Sequence, residues 1–243
     1  MTRVLAVLAA ILFATTASAD PREDWIRDNL IAVFYHEFAH ALIDRLDLPI
    51  YGQEEDAADV ATVMLIDRIF GERRAAEMIV ATAEGFRGET LWWGDDEPAY
   101  WGRHGIDEQR FYTTLCLYYG GDRRGRRSVV EALELPWERQ ATCRDEYEQA
   151  QRSWGRVFDA IAIKEPGSSF TLGYTIDTAP LTVAVAAKEV ARLNRMFGLE
   201  EPIEVVMEYC GEPNAFYDFD TRQIIMCVEY EDHFGLLREL VRG

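Results

Sequence analysis

Apolar positions fall at three- and four-residue spacing from Asp24 to Leu46: Trp25, Ile26, Leu30, Ile31, Phe34, Phe38, Leu42 and Ile43. That period predicts a helix with a wide apolar face. No Gly or Pro interrupts the run, and Pro49 lies just beyond its end. A second helical pattern opens near Glu54 with Ala58, Ala61, Met64, Leu65 and Ile69. A third begins near Asp107 after an aromatic, acidic stretch. Residues 181–243 read as helix ("LTVAVAAKEVARLNRMFGL"), strand ("IEVVMEYC"), turn ("GEPNAFYDFDTR"), strand ("QIIMCVEY") and helix ("EDHFGLLREL"). The expected class is α+β: a mostly helical core with a small antiparallel sheet beside the first helix.

That first helix carries His36-Glu37-Phe38-Ala39-His40, an H-E-x-x-H pattern. Positions i and i+4 share a helix face, so both imidazoles can point at one ion. Glu37, about 100° round the helix from His36, can reach a water on that ion. A zinc hydrolase uses this arrangement: the metal acidifies a water and a carboxylate takes its proton. Such a site usually needs a third protein ligand. His104 and His233 are distant in sequence, so a carboxylate is the better candidate. Glu55 and Asp59 form E-x-x-x-D, one helical turn apart, at the start of the second helix. Glu55 can bind zinc while Asp59 holds a ligating imidazole in one tautomer. The neighbouring Glu54 and Asp56 are explained as acidic complements to the helix dipole.

The segment "HEFAHALIDRLDLPIYGQEEDAADVAT" resembles the gluzincins, zinc peptidases whose third ligand is a glutamate from the next helix. More narrowly, it is similar to a bacterial metallopeptidase family, domain of unknown function 4344, as are "HGIDEQRFYTTLCLYYG" and "CGEPNAFYDFDTRQIIMCVEY". The resemblance implies a zinc peptidase fold and a peptide or protein substrate. It also implies that a histidine or tyrosine stabilises the oxyanion. His104, with Asp107 near enough in sequence to orient it, is the first choice; a capping or surface role is the alternative, and Tyr217 is a second candidate. In the family the "NAFYD" block precedes the zinc helix, whereas here it follows, so the chain reads as a circular permutation. The same block resembles the "NAFA" hairpin of membrane-embedded CAAX-processing proteases. That likeness places Asn214, Phe216 and Tyr217 near the cleft and makes 222–229 a backbone edge to which an extended peptide adds.

Residues 1–19 read as a secretory signal peptide: Arg3, an apolar run from Val4 to Ala14, then Ala17-Ser18-Ala19. The remainder, 20–243, is expected to be one domain outside the cytoplasm, most simply periplasmic, without a membrane anchor. Loss of Arg3 takes the formal net charge from −18 to −19, a balance that disfavours nucleic acid and anionic membrane as partners. Four cysteines in an exported chain allow three pairings; Cys116–Cys143 and Cys210–Cys227 are favoured. Trp92, Trp93, Tyr100 and Trp101 are candidates for a substrate cleft or for burial. "RRGRR" at 123–127 reads as a solvated loop between helices, with an anionic docking site as the alternative. Two readings compete with the peptidase: a non-catalytic zinc-stabilised binding module, and hydrolysis of another amide such as a cell-wall peptide link.

Overall fold

The computed structural model describes residues 20–243, so the expected signal peptide lies outside the described residues. Helix α1 (Pro21–Arg45) starts where Asp20 accepts a hydrogen bond from the Arg22 amide and Pro21 supplies a helix-ready φ. Its apolar residues do not form a single stripe. From Trp25 to Ile43 nearly every position is buried, which makes α1 the central helix of the molecule. Helices α2 (Glu54–Ile69) and α3 (Glu72–Trp93) pack along it, and α4 (Asp107–Gly121) packs on both. The short α5 (Arg127–Ala132) and α6 (Trp137–Gln140) lead into α7 (Cys143–Ala160), which lies against α4. Close helix contact there requires a missing side chain: a Cβ on Gly120 would stand 2.1 Å from the Cys143 carbonyl oxygen.

The remaining elements are β1 (Phe170–Leu172), α8 (Pro180–Met196), β2 (Ile203–Glu208), β3 (Ala215–Asp218), β4 (Gln223–Cys227) and α9 (Glu229–Arg242). The class is α+β, as the pattern predicts, but the sheet is mixed. Its order is β1-β2-β4-β3, with β1, β2 and β4 mutually parallel and β3 antiparallel to β4. The segment read as one long turn contains a strand. "AFYD" has the period-2 burial of a strand, with Ala215 and Tyr217 inside and Phe216 outside. The true turn is Asp218–Arg222, closed by the Arg222 amide on the Asp218 carbonyl (2.7 Å) and by Asp218 Oδ1, which accepts from the Asp220 and Thr221 amides. This turn reverses the chain from β3 into β4, which leaves β2 and β4 parallel. The expected edge at 222–229 is therefore corrected: β4 is interior, and the edge beside α1 is β3.

The "RRGRR" loop also differs from its sequence reading. Arg126 is buried, pairs with Asp67 and Glu72, and donates to the Tyr118 carbonyl at 2.7 Å. The end of α9 lies beside the start of α1, where Arg22 Nε donates to Glu239 Oε1 at 3.3 Å. Both favoured disulfides are present, Cys116–Cys143 between α4 and α7 and Cys210–Cys227 between the end of β2 and the end of β4. Closing 27 residues of chain, the first should contribute about 3.5 kcal/mol through the unfolded state. Replacing Cys116 and Cys143 together by Ala should lower the urea unfolding free energy by about that amount, with the metal site retained.

Candidate metal centre

A helix buried on all sides cannot leave His36, Glu37 and His40 to water, so each needs a partner inside the fold. Helix α2 supplies them for the two histidines, whereas Glu37 has only the Tyr217 backbone amide. His36 Nε2 and His40 Nε2 each lie 3.1 Å from Glu55 Oε2 and 3.2 Å from one another. Three ligand atoms held on a tetrahedral ion at 2.0–2.1 Å would stand about 3.3 Å apart. The triangle therefore fits a zinc-sized cation, and its two nitrogens and one carboxylate oxygen are donors such an ion accepts. The other cysteine- and carboxylate-bearing cluster among the described residues includes Cys210 and Cys227, which are bonded to each other.

Each imidazole is held from behind. Asp59 Oδ1 sits 2.9 Å from His36 Nδ1, although its approach is angled off the ring N–H. Glu54 Oε1 lies 2.7 Å from His40 Nδ1. With Nδ1 turned to a carboxylate on both rings, the Nε2 lone pairs converge on the triangle. Asp59 is fixed in turn by a bidentate Arg110, Nε to Oδ2 at 2.7 Å and Nη2 to Oδ1 at 2.9 Å. Sequence reasoning missed Glu54 and Arg110. It treated Glu54 as a dipole complement, yet two ligating histidines need two anchors, and the Glu54-Glu55 doublet was the available signal. Arg110 had no local signal, since α4 is brought to α2 by packing.

The electrostatics follow from burial and these pairs. Burial disfavours a cationic His36, but contacts with Asp59 and Glu55 outweigh it and push the ring up to about 9. Burial would raise Glu55; His104, His36 and His40 instead hold it far below the usual carboxylate range. Asp59 is likewise depressed, against its burial, by Arg110 and then His36. Glu37 goes the other way: burial raises its carboxyl, opposed by His36 and His40 and by the Tyr217 backbone amide. Among the described residues Glu37 forms no side-chain ion pair.

A cavity of about 400 Å³ opens on this group. The loop between α3 and α4 brings Arg103 and His104 to its mouth, with His104 Nε2 2.9 Å from Glu55 Oε2 and Arg103 Nη2 3.6 Å from Glu55 Oε1. Asp107 does not orient His104; it faces Arg110 at 3.6 Å. Asn214, Phe216 and Tyr217 of the β3 segment line the opposite wall, so the structure brings the C-terminal block to the α1 helix. The Tyr217 hydroxyl points away from the metal ligands and donates to Asp44 at 2.7 Å. Trp92, Trp93, Tyr100 and Trp101 are absent from the cavity wall and are 48–86% exposed, so neither expectation for them holds. Helix α3 carries Trp92 and Trp93 past the cavity and stops at Gly94, Tyr100 and Trp101 sit in the exposed loop beyond it, and the apolar wall comes from Phe86, Phe216, Phe219 and Phe234.

Two imidazoles and a carboxylate around one point, beside a buried glutamate without an ion pair, form a group that could hold a metal ion. A family model described as "Putative metallopeptidase" (domain of unknown function 4344) matches residues 6–158 and 181–238, most of the chain, and the protein belongs to that family. No curated protein and no solved structure was found to match it. If Glu54 anchors His40, Glu54→Ala should weaken zinc binding about 10-fold or more without abolishing it, the usual scale for an anchor of a ligating imidazole. Glu55→Ala should remove binding. Chelator competition on the purified protein measures both.

Proposed function

We propose that the protein is a secreted zinc-dependent peptidase in which His36, His40 and Glu55 hold the metal and Glu37 is the general base. The observation that carries this reading is the 3.1–3.2 Å ligand triangle next to a carboxylate that is buried yet unpaired. A purely structural metal site has no use for Glu37, whose desolvation is unfavourable. When bound, zinc supplies Lewis acidity that lowers the pKa of water and polarises a carbonyl. Glu37, with its pKa raised by burial, takes a proton from the attacking water and returns it to the leaving amine. Asp59 and Glu54 keep the imidazoles in the ligating tautomer. His104 and Arg103 grip Glu55 at the cavity mouth and stand where a substrate carbonyl would enter.

The substrate edge is β3. Because the Cys227 amide bonds the Asn214 carbonyl, Phe216 faces Ile225 in the hydrogen-bonded register. The backbone groups of Ala215 and Tyr217 then point away from β4, toward α1, and an extended peptide can use those that Glu37 leaves free. Export is supported by two disulfides and by the lack, among the described residues, of any helix long and apolar enough to cross a membrane. The chain order we read as a circular permutation, supported by the adjacency of Arg22 and Glu239. A re-permuted chain, joined from Gly243 to Asp20 and opened between 165 and 180, should fold and bind zinc; failure of a soluble version to bind zinc counts against it.

Glu37→Gln tests the mechanism. It should keep zinc and the fold but lose at least ~10²-fold in turnover of a labelled protein substrate. Full activity in that variant rules the mechanism out.

A further inference from the structure

Resting on the peptidase reading, one role in the reaction still lacks a residue: a donor for the negative charge that develops on the attacked carbonyl oxygen. Of the donors near the ligand triangle, His104 Nε2 and Arg103 Nη2 face Glu55 and the Tyr217 hydroxyl bonds Asp44. The Arg110 fork is taken up by Asp59. Tyr230 is different. It is the second residue of α9, and its ring is fixed by parallel stacking on Phe234, with centroids 4.9 Å apart and planes 6° from parallel. It lines the same cavity as His36, Glu37 and His40.

Packed tyrosines normally satisfy their hydroxyls. Here Tyr35 donates to Glu189, Tyr118 to Glu72, Tyr147 to Asp67 and Tyr217 to Asp44, while Tyr112 and Tyr119, whose hydroxyls also bond nothing among the described residues, lie outside the cavity lining. The Tyr230 hydroxyl has no hydrogen-bond partner among the described residues, and it is not sealed in the core. We propose that Tyr230 is a catalytic residue whose phenol, held by the Phe234 stack, donates a hydrogen bond to the oxyanion formed on the scissile carbonyl. Burial, then the Glu89 and Glu37 carboxylates, keep this phenol above its ordinary pKa, so it remains a neutral donor across the working pH range. A rigid, preorganised donor acts on the charge that grows in the transition state more than on the bound substrate.

Tyr230→Phe removes the hydroxyl and keeps the stack. In the zinc-loaded mature chain acting on fluorescein-labelled casein, kcat should fall about 10²-fold, the scale of one lost oxyanion donor, with KM nearly unchanged. Zinc content and thermal midpoint should match wild type, because the hydroxyl bonds nothing in the fold. A second arm needs no turnover: calorimetric titration with a Leu-Trp phosphonamidate, whose tetrahedral phosphorus oxygens mimic the oxyanion, against a Leu-Trp thiol that has no such oxygens. The variant should bind the phosphonamidate about 10²-fold more weakly and the thiol equally well. A kcat within threefold of wild type, equal losses on both ligands, or no phosphonamidate binding by wild type overturns the assignment. A wild type that binds both ligands but cleaves nothing overturns the peptidase reading instead, and the ligand comparison still decides Tyr230.

Discussion

The structure is organised around a desolvation problem. Helix α1 is buried on all sides, yet at its middle it carries two imidazoles and a carboxylate. Hydrophobic packing alone would expel such groups. The imidazoles are retained because α2 runs alongside with Glu54, Glu55 and Asp59 on its near face, and because Arg110 crosses from α4 to hold Asp59. Three helices are thereby fixed in register at the site. A slip of one residue on α2 would rotate its carboxylates by about 100° and strand the histidines.

The same constraint explains why the charges in the site are divided unequally. Glu55 and Asp59 face cations or imidazoles and are held ionised. Glu37 faces the cavity with no ion pair and is pushed toward its protonated form. Carboxylates a few ångströms apart thus sit in opposite electrostatic settings, Glu55 and Asp59 favoured as anions and Glu37 disfavoured. The environment makes the distinction, since the side chains are chemically near-identical.

The C-terminal third completes the cleft rather than forming a body of its own. Ile203, Val205, Ile224, Met226 and Leu237 belong to the same hydrophobic cluster as Trp25 and Phe38. Strand β3 lays its outward backbone against α1, and α9 delivers Tyr230 and Phe234 to the cavity wall. Residues separated by nearly two hundred positions share one wall because the strand and the helix both pack on the central helix.

Local spacing alone brought His36, His40 and Glu55 together as a group that could hold a metal ion. His36 and His40 share a face because the helical period says so, and Glu55 follows within one connection, so little tertiary freedom remained between them. The boundaries of α1, α2 and α4 were legible for the same reason, through periodic apolar positions and terminal signals. The sequence could not give the strand inside "GEPNAFYDFDTR", where four residues are too few to outweigh the surrounding turn formers, and so it misassigned the sheet edge. Nor could it give Arg110, Tyr230 or the emptiness of the aromatic loop's promise. Those depend on which helices meet across long sequence separations, and that is decided by packing the whole core at once.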